Sequence, residues 1–174
     1  MKLNLPTKGK SIALPIIILV GLLALILFRD ILIFGIFLIA MAIFNHYQNK
    51  YQLGFDVSPT LVLTIIFSMR LGFGYGLAFL FLGGVIPNLI TGGFTGGTVF
   101  FIGIAVLVAY LASLGLIANV LLYGIGLLVL QSFLGLMISL LLSDSLVLFS
   151  VFFGFALNAV YFLVFNNILT LVLT

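Results

Sequence analysis

Between Leu71 and Ser143 the chain carries no charged side chain at all. A water-facing domain holds about 25% charged residues, because its surface must be solvated. Here the whole chain holds 5%, against 65% hydrophobic residues. Three carboxylates and six Lys/Arg cannot cover such a surface. The chain therefore reads as an all-α integral membrane protein, a polytopic transmembrane bundle of six or seven helices forming one domain over residues 1–174.

The same charge count narrows function. A net charge of +3 is spread along the chain and makes no basic patch, so nucleic acid is not an expected partner and the excess reads as topology. With no cysteine there is no disulfide, thiolate metal site or Cys nucleophile. His46 stands alone, with no base–nucleophile pair or ligand set around it, and it reads as an exposed loop residue. No catalytic residue, metal site or cofactor is expected.

The breaks between apolar runs give the segments. Met1–Lys10 carries Lys2, Lys8 and Lys10 and reads as a short cytoplasmic N-terminus. Ile12–Phe28 lacks a following small-residue cleavage pattern, so it reads as an uncleaved first transmembrane helix. Ile31–Phe44 is short for a span. Asn45–Gln52 is the most polar stretch and is expected in water or headgroups, with Tyr47 and Tyr51 at the interface. Val57–Met69 follows, with Pro59 in its first turn. Arg70–Gly76 reads as a turn, Leu77–Ile90 as a fourth segment and Thr91–Thr98 as a glycine loop. Val99–Leu116, Asn119–Leu142 and a run from Ser145 onward complete the set.

Lysine and arginine in short loops set orientation. A cytoplasmic N-terminus puts Lys2, Lys8, Lys10 and Lys50 inside and Arg29 and Arg70 outside. That is the expected arrangement, in the cytoplasmic membrane. Arg29 and Asp30 form a solvated tip between two helices, and Asp56 and Arg70 flank the third segment at the interfaces.

Two residue classes remain as candidates. Amides in hydrocarbon must find partners, so Asn88, Gln131, Ser132, Asn158, Asn166 and Asn167 should face other helices or a cavity. Asn88, Gln131, Asn158 and Tyr161 are the tentative ligand set for a small neutral solute, with Asn158 and Tyr161 on one helix face. Small residues at four-residue spacing let helix backbones approach. Gly72, Gly76, Gly83, Gly84, Gly92, Gly93, Gly96, Gly97, Ala105 and Ala109 are accordingly expected to form a helix-packing or partner-binding face.

The order Pro59-Thr60-Leu61, an apolar helix, Arg70-Leu71-Gly72, the Gly76–Gly84 helix, Asn88-Leu89-Ile90-Thr91-Gly92-Gly93 and a further apolar helix resembles the rod-shape-determining membrane protein MreD. It is also similar to the substrate-binding S components of energy-coupling-factor (ECF) vitamin transporters. The likeness spans about residues 59–114 and rests on hydrophobic and glycine motifs. Where MreD usually carries an aspartate this chain has Asn88. The alanine-spaced docking motif of S components falls here in a later helix, at Ala105 and Ala109. The first resemblance implies a non-enzymatic scaffold that binds other membrane proteins for envelope assembly. The second implies a subunit that captures a small, vitamin-type solute and works with an ATPase-driven partner.

Overall fold

The computed structural model describes residues 20–21, 28–51, 57–94, 96–141 and 147–173. Among these it is helical throughout, with no strand. We label the helices α1 (Arg29–Lys50), α2 (Thr60–Leu71), α3 (Phe73–Ile90), α4 (Gly96–Leu114), α5 (Val120–Leu141) and α6 (Val147–Leu173). Five of the six are long and apolar enough to cross a membrane, and α2 is the exception. The protein is an all-α, multi-pass membrane bundle. The expected first span, Ile12–Phe28, lies outside the described residues apart from Val20, Gly21 and Phe28.

The chain divides into two compact units, Met1–Gly35 and Ile36–Thr174. The described part of the first unit is Val20–Gly21 and the opening turns of α1, where Arg29 and Asp30 meet through Nε and Oδ1 at 3.4 Å, both half-exposed. Everything below concerns the second unit.

Its centre is α2. Twelve residues give a rise of about 18 Å, well short of a hydrocarbon core about 30 Å thick. Yet every side chain from Val62 to Ser68 is buried. A helix buried on every face along this stretch belongs inside a protein, and α2 packs against α3, α4, α5 and α6. On α1, Phe37 meets Phe67 edge to face at 6.1 Å and Phe165 of α6 at 5.9 Å, so α1 covers the same core.

One stripe of α2 is small and polar: Thr60, Thr64 and Ser68, each one helical turn apart. It meets the glycines of α3. A Cβ on Gly76 would overlap Ser68 Oγ and come within 3.0 Å of the Thr64 carbonyl, and one on Gly84 would lie 2.9 Å from Thr60 Cγ2. The two backbones thus approach closely at both ends of the α2–α3 hairpin. In lipid, close backbone contact replaces the hydrophobic effect as the source of helix association. Ala105 and Ala109 do the same on α4, where Ala105 joins Leu80 and Val85 in a buried cluster.

Three features depart most from expectation. First, α1 does not stop at Phe44 but continues through Lys50, 22 residues in all, enough to span. The polar run Asn45–Lys50 is therefore helix rather than loop, and His46 is half-buried on that helix, its ring 5.7 Å from that of Tyr47. Second, the turn expected over Arg70–Gly76 shrinks to Gly72. Its φ of +100° and ψ of 167° reverse the chain in one residue, and helix resumes at Phe73. Third, Phe79–Val85 within α3 is π-helical, a feature the apolar pattern does not signal.

Connectivity fixes which ends lie together. Lys50, Thr60, Ile90, Gly96, Leu141 and Val147 belong to one end of the bundle, called the lysine end. Leu71, Phe73, Leu114, Val120 and Leu173 belong to the other, the arginine end.

Candidate functional site

The most elaborate polar arrangement lies where α1, α2 and α3 meet. Pro87 has no backbone N–H, so the carbonyl four residues earlier, that of Gly83, loses its α-helical donor. Upstream the helix widens to π geometry, with the Ile86 N–H bonding the Phe81 carbonyl. Gly83 lies near the middle of α3, where no water is at hand to satisfy a freed carbonyl. Asn45 supplies the donor. Its Nδ2 donates to the Gly83 carbonyl at 2.7 Å and to Thr60 Oγ1 at 2.7 Å. Ser58 and Thr60 share a hydroxyl–hydroxyl bond, and Ser58 Oγ also accepts from the Thr60 N–H at 3.1 Å. This explains how Asn45, expected in water, is only 7% exposed: its amide has partners from two other helices.

Gly83 itself faces α1. A Cβ there would lie 3.5 Å from Leu38 Cδ1 and 3.6 Å from Met41 Cβ. The small residues of the expected packing face thus divide. Gly76, Gly83, Gly84, Ala105 and Ala109 are taken up between helices of this chain. Gly72 makes the α2–α3 turn. At the lysine end Gly92, Gly93 and Gly96 are exposed, Gly97 is half-buried, and Phe94 between them is 38% exposed. The turn is built by the Gly93 N–H bonding the Asn88 carbonyl at 3.0 Å and by Thr91 Oγ1 donating to the Pro87 carbonyl at 2.8 Å.

The tentative ligand residues stand on three helices, α3, α5 and α6. Asn88 lies at the end of α3 with its Oδ1 turned against Gly93. Gln131 is half-buried on α5 and accepts from Ser132 Oγ at 3.4 Å. Asn158 and Tyr161 are half-buried on α6, and the Tyr161 hydroxyl donates to the Val57 carbonyl at 3.0 Å, tying α6 to the segment before α2. A cavity of about 230 Å³ opens between α5 and α6, walled by Val129, Ser132 and Phe133 on one side and Val151, Phe152 and Phe155 on the other. It is apolar, and none of the four tentative ligand residues lines it.

Two tethers escape the sequence reading. The Tyr123 hydroxyl donates to the Leu111 carbonyl across the α4–α5 connection. Gly124 of α5 receives the ring of Phe162 of α6, which is fully buried, and a Cβ on Gly124 would overlap that ring. The four-residue spacing rule passes over Gly124, since no small residue stands four positions from it. Among the described residues no group of three His, Cys, Asp or Glu comes together.

Comparison with protein-family models, with curated proteins and with solved structures returns no match. The class of the protein thus rests on its own residues: a multi-pass membrane bundle with a short, largely buried central helix and one exposed glycine-rich turn.

Proposed function

We propose that this chain is a non-enzymatic membrane scaffold that binds other membrane proteins, in the manner its likeness to MreD implies. It sits in the cytoplasmic membrane with its N-terminus, Lys50 and the 91–97 turn on the cytoplasmic side. The supporting observation is how the small residues are used. Those inside the bundle are consumed by its own helices, which makes a rigid frame. Those at the lysine end stay open around Phe94, an aromatic anchor with flanking backbone that a partner can approach closely.

The competing reading, a solute-capturing subunit similar to the ECF S components, would draw on Asn88, Gln131, Asn158 and Tyr161. Those residues stand on three different helices and none lines the apolar cavity between α5 and α6, which is why the scaffold is preferred. A photo-crosslinking residue at position 94, activated in native membranes, tests the choice. The scaffold reading expects discrete protein adducts of fixed mass. Crosslinks confined to lipid would refute it, and capture of an ATPase or coupling subunit would turn the assignment to the transporter class.

A further inference from the structure

The arginine end carries a second polar cluster, which the partner-binding reading leaves unused. Arg70, in the last turn of α2, donates from Nη2 to Thr170 Oγ1 of α6 at 2.6 Å. Thr170 Oγ1 in turn donates to the Asn166 carbonyl at 2.6 Å, one turn back on α6. Two atoms of this cluster are buried and make no hydrogen bond among the described residues: Arg70 Nε and Asn166 Oδ1. Asn166 is 8% exposed. The carboxylate among the described residues, Asp30, faces Arg29.

A guanidinium with an idle donor and, among the described residues, no facing carboxylate is costly beside hydrocarbon. A planar fork of N–H donors suits an oxygen pair, as in a carboxylate or phosphate. A half-turn of the Asn166 amide puts Nδ2 where Oδ1 stands, and its two ends are told apart only by their partners. The cluster then holds donors on both helices. Its level along the bundle is that of headgroups. Arg70 and Thr170 lie in the closing turns of helices that end together. Tyr75 and Tyr110 stand exposed at the same end, with Phe73 edge-on to Tyr110 at 5.6 Å. Arg70 is itself only half-buried, and a Cβ on nearby Gly72 or Gly74 would meet nothing within 4 Å.

We propose that Arg70 and Asn166, with Thr170 holding the guanidinium in place, form an oxyanion site for the phosphate of an anionic lipid headgroup. The site lies at the opposite end of the bundle from Phe94, so it neither rests on the partner-binding reading nor tests it.

Native mass spectrometry of the full chain, released from micelles containing phosphatidylglycerol and phosphatidylcholine, reads the site directly. A charge-assisted hydrogen bond is worth about a tenfold change in affinity or more. The wild type should therefore retain phosphatidylglycerol about tenfold over phosphatidylcholine. Arg70→Gln should abolish the preference, Asn166→Leu should weaken it and Arg70→Lys should keep part of it, since a point charge replaces a fork. Arg29→Gln should leave it unchanged. Far-UV circular dichroism of each variant separates lost binding from lost folding. Where Arg70→Gln does not fold, Arg70→Lys and Asn166→Leu decide. Displacement of the lipid by millimolar inorganic phosphate assigns recognition to the phosphate group alone, and resistance to it assigns recognition to the whole lipid. Both uphold the site. Equal retention of the two lipids by the wild type, or a preference that survives Arg70→Gln, overturns it.

Discussion

Replacing Asn45 by alanine removes both donors that hold α1 to the α2–α3 hairpin, each at 2.7 Å. The two acceptors do not suffer equally. Thr60 Oγ1 keeps its bond to Ser58, whereas the Gly83 carbonyl loses its side-chain donor and cannot receive one from Pro87. A typical hydrogen bond contributes about 1 kcal/mol net, and a buried group left unpaired costs about 1–3 kcal/mol. Interhelical bonds in membrane proteins average lower, about 0.6 kcal/mol. Together these give a destabilisation of about 2 kcal/mol for Asn45→Ala. The reasoning makes a sharper claim about Pro87. In Pro87→Ala the new N–H can serve the Gly83 carbonyl, so Asn45→Ala in that background should cost about 1 kcal/mol less. The chain has no tryptophan, so unfolding in mixed micelles is best followed by far-UV circular dichroism. An equal cost of Asn45→Ala in both backgrounds would refute the idea that Asn45 replaces a donor that proline removed.

Two further outcomes follow from the packing and the connectivity. Gly124→Ala should destabilise the bundle by about 1–3 kcal/mol through overpacking against Phe162, and Phe162→Leu should recover part of that loss; micellar unfolding of the single and double variants checks both. Single cysteines can be placed in the natural sequence, which has none. With an impermeant thiol reagent, Tyr51→Cys and Phe94→Cys should label from the same side of the membrane and Ala118→Cys from the other. Labelling of positions 51 and 94 from opposite sides would mean that α2 and α3 do not both return the chain.

Long uninterrupted apolar runs were readable because nothing competes with them. The segment expected at Asn119–Leu142 is observed as Val120–Leu141, with Asn119 Oδ1 capping the Leu122 N–H at 3.1 Å. Val99–Leu116 is observed as Gly96–Leu114, begun earlier because glycines that look like loop can open a helix. Asn45–Lys50 is not legible as helix, because its polarity reads as water-facing. A buried amide needs partners, and those of Asn45 lie far along the chain, at Thr60 and Gly83. The clue was present in the proline four residues after Gly83, which orphans a carbonyl wherever it interrupts a helix. Glycine density suggested a wide turn at Arg70–Gly76, but one residue with positive φ sufficed and the remaining glycine contact, at Gly76, serves Ser68. The surroundings of the ligand set are illegible for a related reason. Helical periodicity tells which residues share a face, as with Asn158 and Tyr161, but not which neighbour that face meets.

The inner small residues are taken up by the bundle's own helices, and we propose that the open turn around Phe94 meets a partner. Affinity purification in mild detergent, comparing the wild type with a Phe94→Ala/Gly96→Leu variant of equal melting temperature, tests this directly. The expected result is a defined membrane-protein partner that co-purifies with the wild type and is depleted at least several-fold from the variant. A partner retained equally by both, or an ATPase recovered with a coupling subunit, would contradict it.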